Sequence, residues 1–131
     1  MTIDSIMMGQ TQASYSYVGD LLSIPAGTYT LGDTLEVAVS YHGTPYGNSW
    51  GGFTFINNYT FNIGVSMYEQ PHCFGRVWYP CIDEFTDKST YNFHIATYPY
   101  HNAVCGGIYQ GESEGEYNTK VWHWQLDQPI H

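Results

Sequence analysis

Side chains that could do chemistry are concentrated in one short aromatic stretch in the second half of the chain. It holds Arg76 and Lys88, two of the three basic residues of the protein. It also holds three carboxylates: Asp83, Glu84 and Asp87. Paired carboxylates could act as acid and base in glycoside hydrolysis. The two cations favour a structural ion-pair network instead, in which Arg76 pairs with Asp83 or Glu84 and Lys88 pairs with a neighbouring acid.

Cysteine and histidine offer two other kinds of chemistry. Structural and catalytic zinc sites usually have three or four protein ligands, and Cys73, Cys81 and Cys105 form no such closely spaced group with the histidines. A His-Glu-x-x-His motif is absent. No local motif joins a Cys or Ser nucleophile to a histidine and an orienting acid. The sequence therefore predicts no metal site and no catalytic residue in this chain, and the odd number of cysteines implies no disulfide framework.

Composition and charge limit the class of protein. The 131 residues favour one domain, and 43% hydrophobic residues are too many for a disordered chain. Charged residues make up only 11%, against about 25% in ordinary soluble domains, so part of the surface is expected to be covered by something else. The net charge of −9 argues against partners such as nucleic acid and anionic membranes, which attract basic surfaces. No apolar run is long enough to span a bilayer.

The pattern of apolar residues predicts strands throughout. Alternation is clearest from Thr34 to Tyr41, and hairpins are predicted around Gly19-Asp20 and Asn57-Asn58. Later strands are expected at 91–98, 103–110 and 120–126. The acidic residues between the last two are expected in a solvated turn: Glu112, Glu114 and Glu116. The prediction is one all-β, mostly antiparallel domain over residues 1–131, a β-sandwich or saddle-like bent sheet of about eight or nine strands.

Exposed aromatic rings on such a sandwich could stack against sugars. The four candidate rings are Trp50, Trp78, Trp122 and Trp124. Aromatic side chains in a small β domain more often belong to the core. A free-standing acidic β-sandwich that binds carbohydrate or protein is therefore the alternative function.

The stretch from Gly75 to Tyr91 reads Gly-Arg-Val-Trp-Tyr-Pro-Cys-Ile-Asp-Glu-Phe-Thr-Asp-Lys-Ser-Thr-Tyr. It resembles a motif in the N-terminal domain of the aminopeptidase N family of zinc metallopeptidases, close to Ala-Arg-x-Trp-Phe-Pro-Cys-x-Asp-Glu-Pro-x-x-Lys-Ala-x-Phe, and the match has no gap. Phe85 and Ser89 depart from the family pattern, which suggests a divergent, bacterial branch. Weaker similarity on both sides extends the resemblance over nearly the whole chain.

The resemblance implies a non-catalytic β domain that caps the catalytic domain of the same polypeptide, so the chain is expected to be a fragment of a larger multidomain protein. Zinc is expected in the catalytic domain and no cofactor in this chain, and the parent enzyme would act on peptides. In the family, a residue seven positions before the arginine reaches the substrate pocket. That position is Glu69 here, with Gln70 beside it. The parent would be periplasmic or secreted if it carries a signal peptide.

Overall fold

The computed structural model describes all 131 residues. About half of them lie in antiparallel β-strands, which confirms the all-β prediction. In chain order the strands are β1 (Thr2–Met8), β2 (Thr11–Gln12), β3 (Ser16–Val18), β4 (Leu21–Ser23), β5 (Val37–His42), β6 (Gly47–Asn48), β7 (Gly51–Ile56), β8 (Tyr59–Ser66), β9 (Ser89–Thr97), β10 (Ile108–Glu114) and β11 (Lys120–Ile130). Two 3-10 turns complete the regular structure: Gly75–Val77 and Glu116–Asn118. None of its helical segments has the length and apolar character needed to cross a membrane.

The chain forms two compact units, Met1–Asp83 and Glu84–His131. The first unit contains the sheets β2-β1-β5 and β6-β7-β8 and the hairpin β3-β4, all antiparallel. The predicted hairpin at Gly19-Asp20 is the β3-β4 pair, and the one at Asn57-Asn58 joins β7 to β8. Its core is small. The buried apolar residues are Ile3, Ile6, Cys73, Phe74 and Val77.

Two glycines let β7 approach that core. A Cβ atom on Gly51 would lie 2.1 Å from the carbonyl oxygen of Val65, and one on Gly52 would lie 2.8 Å from the ring of Phe74. Gly52 also has a φ of +78°, a backbone conformation that favours glycine. A side chain at Gly51 would therefore force β7 away from β8. One at Gly52 would force it away from Phe74, which lies next to the 3-10 turn that carries Arg76.

One face of the β7-β8 hairpin has no cover in this structure. Ile56 is the register partner of Tyr59, and Phe61 and Ile63 follow at alternate positions along β8, so the four side chains share one side of the sheet. They are between 46% (Phe61) and 77% (Tyr59) exposed. We call this surface of four large uncharged side chains the β8 apolar face.

The second unit is a single sheet in the order β10-β11-β9. The predicted alternation in β9 and β11 is confirmed, because Phe93 lies opposite Trp124 and Ile95 lies opposite Trp122. These four side chains are half-buried, and no residue of this unit is fully buried. On the other face of this sheet, His94 of β9 pairs in register with His123 of β11.

The predicted strand from Thr34 to Tyr41 is too long at its start, since β5 begins only at Val37. Val37 pairs with Met8, the last residue of β1, so the register between the two strands ends there, and only the Glu36 carbonyl oxygen accepts one more bond, from the Gly9 amide at 3.0 Å. The residues before Val37 follow a turn that Asp33 closes by accepting a hydrogen bond from the Thr30 amide at 2.8 Å.

The predicted strand at 103–110 and the predicted acidic turn are also misplaced. The strand is β10, at Ile108–Glu114, so Glu112 and Glu114 lie within it. Glu114 pairs in register with Lys120, and the Glu112 carboxylate accepts a hydrogen bond from the Lys120 ammonium at 2.8 Å. Because β10 is an edge strand, its charged side chains remain solvated and discourage pairing with other chains.

Candidate functional site

The guanidinium of Arg76 is the centre of an ion-pair network in the first unit. One terminal nitrogen donates to the Asp83 carboxylate at 2.5 Å and to the carbonyl oxygen of Cys73 at 3.1 Å. The other donates to the Glu69 carboxylate at 2.6 Å. Both carboxylates lie seven residues from the arginine along the chain. We call Glu69, Arg76 and Asp83 the arginine clamp.

The 3-10 turn Gly75–Val77 positions the arginine. Asp83 also accepts a hydrogen bond from the Gly75 amide at 2.8 Å, so its two oxygen atoms hold the turn and the guanidinium together. The guanidinium lies over the buried ring of Phe74, 5.0 Å from its centre, a cation–π contact. The side chains are 29% (Arg76) and 14% (Asp83) exposed, so the Arg76–Asp83 pair is largely shielded from water.

Ser66 positions the other carboxylate. It is fully buried, and its hydroxyl exchanges hydrogen bonds with the Asn48 amide at 2.7 and 3.1 Å. The same oxygen accepts from the Tyr68 amide at 3.2 Å. The Ser66 amide donates to the carbonyl oxygen of His72 at 2.9 Å. These bonds close the segment between Ser66 and His72 into a loop, and Glu69 lies on that loop.

The site residues predicted from the sequence have different surroundings in the structure. Glu69, predicted from the resemblance as a substrate-pocket residue, binds the guanidinium of Arg76. Gln70 is exposed, and its amide nitrogen lies 3.4 Å from Nε2 of His72. Asp83 pairs with Arg76 as the first of the two expected partners.

Glu84 and Lys88 belong to the second unit. The Glu84 carboxylate accepts a hydrogen bond from the Thr86 hydroxyl at 3.3 Å. Lys88 is exposed and forms no ion pair with a carboxylate of its own unit. The neighbouring acids Glu84 and Asp87 therefore do not hold it, and the ion pair of this unit is Lys120 with Glu112 instead.

The electrostatics of the clamp favour a permanently charged arginine. Burial lowers the pKa of Arg76, but the hydrogen bonds and negative charges of Asp83 and Glu69 outweigh it and raise the pKa above its ordinary value. A recess beside Arg76, lined also by Tyr41, Tyr46 and other residues of the first unit, has a volume of about 80 Å³. Small-molecule sites are usually about 300–1,000 Å³, so this recess is too small for such a ligand.

Cys81 lies next to the clamp, with its sulfur 4.0 Å from the carboxylate of Asp83. Cys81 is exposed as a residue, but partial burial of its sulfur and then the negative charge of Asp83 raise the pKa of this thiol to about 11. The nucleophilic form of cysteine is the thiolate. Cys81 is therefore a protonated, weakly reactive thiol at neutral pH.

The aromatic rings considered for sugar binding have different surroundings from those expected. The indole nitrogen of Trp122 donates to the Thr97 hydroxyl at 3.0 Å, and that of Trp124 donates to the carbonyl oxygen of Ala103 at 3.2 Å. Both rings are half-buried, and only Trp50 is more than half exposed. The structure contains no group of three or more His, Cys, Asp or Glu side chains that could hold a metal ion.

Two polar features were not predicted from the sequence. The Ser66–Asn48 pair joins residues that are 18 positions apart, and the His94–His123 pair joins residues that are 29 apart. A sequence signal existed only for the second pair, because both histidines fall on the polar side of alternating strands. Finding the contact required the strand register.

No protein-family model, no curated protein and no solved structure matches the chain.

We expect Arg76→Met to lower the free energy of unfolding by about 2–3 kcal/mol, because it leaves two shielded carboxylates without a partner. Lys88→Met is the matched control and should change stability by less than about 0.5 kcal/mol, since Lys88 pairs with no carboxylate of its unit. Urea denaturation followed by circular dichroism measures both. An Arg76→Met protein as stable as the parent would contradict a structural role for the clamp.

The rate of Cys81 alkylation should rise with pH and reach half its maximum near pH 11. Asp83→Asn should move this midpoint to lower pH, because it removes a negative charge that opposes the thiolate. Asp87→Asn, in the second unit, is the control and should leave the midpoint in place. Peptide mass spectrometry after iodoacetamide treatment gives the rate at each cysteine. A midpoint near the ordinary thiol value in the parent would show that Cys81 is not shielded.

Proposed function

We propose that the chain is a non-catalytic β domain that docks on the catalytic domain of a larger aminopeptidase N-like zinc peptidase. The observation that carries the proposal is the β8 apolar face, whose four large side chains are 46–77% exposed. Large contiguous apolar patches mark interaction sites more often than free surface. The low charge content of 11% agrees with a chain whose surface is partly covered.

The occupant proposed for this face is another domain of the same polypeptide. The face carries no charged side chain, and interfaces that form permanently are more apolar than transient ones. The gapless similarity between residues 75–91 and the aminopeptidase motif supports a catalytic domain as that occupant. The proposed domain is non-catalytic. The thiol of Cys81 is protonated at neutral pH, and the charged side chains of Glu69, Arg76 and Asp83 bind one another.

In this proposal the arginine clamp shapes the loop that faces the partner. Glu69 is tied to Arg76, while Met67 and Tyr68 on the same loop are 70% and 67% exposed. A substrate-facing role for Glu69 would act through a carboxylate whose charge is partly balanced by the guanidinium. Gln70 is exposed beside it, and its amide oxygen is available to a peptide while its amide nitrogen lies 3.4 Å from Nε2 of His72.

The test combines a sequence and a binding measurement. The coding sequence after His131 should contain a His-Glu-x-x-His motif followed by a glutamate. The domain that it encodes should bind the 131-residue chain. Ile63→Lys should weaken that binding at least tenfold, because a charge would be buried in an apolar interface. Thr60→Lys, on the other side of the same strand, is the control and should bind like the parent.

Two outcomes would overturn the proposal. One is a following sequence without the zinc motif, which would remove the catalytic partner. The other is binding that Ile63→Lys leaves unchanged, which would remove the β8 apolar face from the interface. Isothermal titration calorimetry distinguishes a weakened complex from an unchanged one.

A second candidate function, carbohydrate binding, is favoured by one observation in the second unit. The rings of Tyr98 and Tyr100 are parallel to within 3°, with centres 5.8 Å apart, and are 61% and 76% exposed. His101 packs edge-on against Tyr100 at 4.6 Å and holds its orientation. An open recess of about 520 Å³ is lined by Tyr98, His101 and Tyr117 among others. Flat exposed rings of this kind can stack against the apolar face of a sugar.

If this platform binds sugars, Tyr100→Ala should abolish glycan binding by the chain, because it removes half of the stacked pair. Tyr59→Ala removes an equally exposed tyrosine (77%) from the first unit and should leave binding unchanged. A glycan array with the purified chain is the measurement. A parent chain that binds no glycan would exclude this function.

A further inference from the structure

The polar face of the second unit carries two histidines in direct contact. His94 on β9 lies opposite His123 on β11 in the strand register. Their Nδ1 atoms are 2.6 Å apart, and their ring centres are 4.8 Å apart at 67°. Side chains that lie opposite one another on antiparallel strands start from Cβ atoms only about 4.5–5.5 Å apart. The strand backbones therefore fix the spacing of the two rings.

Without a ligand, the contact between the two rings requires a proton. Two nitrogen lone pairs at 2.6 Å repel one another unless one nitrogen carries hydrogen and donates it to the other. A second proton would place two donors face to face. The two Nδ1 atoms can therefore share one proton, or they can both donate their lone pairs to one electron-pair acceptor other than a proton.

We infer that His94 and His123 form a binding site for a divalent transition-metal ion such as Zn²⁺, with both Nδ1 atoms as ligands. Imidazole nitrogen is a preferred ligand of zinc, copper and nickel. Zinc–nitrogen bonds of about 2.0–2.1 Å separate two ligands of a tetrahedral ion by about 3.3 Å. Small rotations of the two rings provide that separation. The shared proton moves to Nε2 of His94, so that each ring is neutral and binds the metal through Nδ1.

Ser113 on β10 supplies the support that a ligating histidine usually has. Its hydroxyl oxygen lies 2.8 Å from Nε2 of His123 and can accept a hydrogen bond from the N–H of this nitrogen when Nδ1 binds a metal. Metal-binding histidines almost always donate their second ring N–H to such a partner. The three strands of the sheet thus contribute a ligand, a ligand and an orienting group.

The site has two protein ligands, because no group of three or more His, Cys, Asp or Glu side chains is present. Water or an external donor would complete the coordination. The site is independent of the proposed docking function: its residues lie in the second unit, and the β8 apolar face lies in the first.

The test is a calorimetric titration of the purified untagged chain with Zn²⁺ at neutral pH. His94→Gln and His123→Gln should each weaken binding at least tenfold. Ser113→Ala should weaken it by about 10–100-fold if the hydroxyl orients the ring. His42→Gln is the matched control and should bind like the parent, because it removes a histidine of the first unit whose Nδ1 lies 2.8 Å from the Asp4 carboxylate.

Nitrogen NMR of the imidazole rings identifies the atoms that bind. On addition of Zn²⁺, the Nδ1 signals of both His94 and His123 should shift. Nε2 of His123 should remain protonated, and Nε2 of His94 should become protonated. Binding that survives both glutamine variants would assign the metal to the thiols or to other histidines and would overturn the inference. Circular dichroism of each variant establishes that the sheet is intact, since both side chains lie on its polar face.

Discussion

The first unit depends on one guanidinium. Arg76 draws together a loop before it and a segment after it, because Glu69 and Asp83 bind its two terminal nitrogens. The buried apolar core of this unit is small, so a shielded charge network carries an unusual share of the structural order. Removal of one of these three charged side chains would leave its partners shielded from water without an opposite charge, which is unfavourable. The aromatic ring of Phe74 beneath the guanidinium links this network to the core.

The two units solve the problem of apolar burial differently. The first buries a few side chains fully around the 3-10 turn and leaves the β8 apolar face uncovered. The second keeps its tryptophans half-buried on one side of a three-stranded sheet and satisfies their indole nitrogens with a hydroxyl and a carbonyl oxygen. Small sheets bury too little surface to be very stable alone. This limited burial of apolar surface is the physical reason to propose that another domain covers part of the chain.

Local features were predictable from the sequence, and distant contacts were not. The turn at Asn57 follows from a residue type that tolerates its φ of +50°, and the alternation in β9 follows from period-two patterning. The start of β5 could not be predicted, because it is set by where β1 ends. The resemblance to the aminopeptidase motif pointed to Glu69 but not to its contact with Arg76. The Ser66–Asn48 and His94–His123 contacts depend on strand pairing that one sequence does not encode in any short motif.

The equal spacing within the arginine clamp has a consequence for folding. Each ion pair joins residues that are seven positions apart, Glu69 with Arg76 and Arg76 with Asp83. Short loops lose little chain entropy on closure, and the loss grows only with the logarithm of their length. The clamp can therefore assemble from neighbouring residues before any distant strands have met. It acts as a non-covalent staple in a segment whose cysteines form no disulfide.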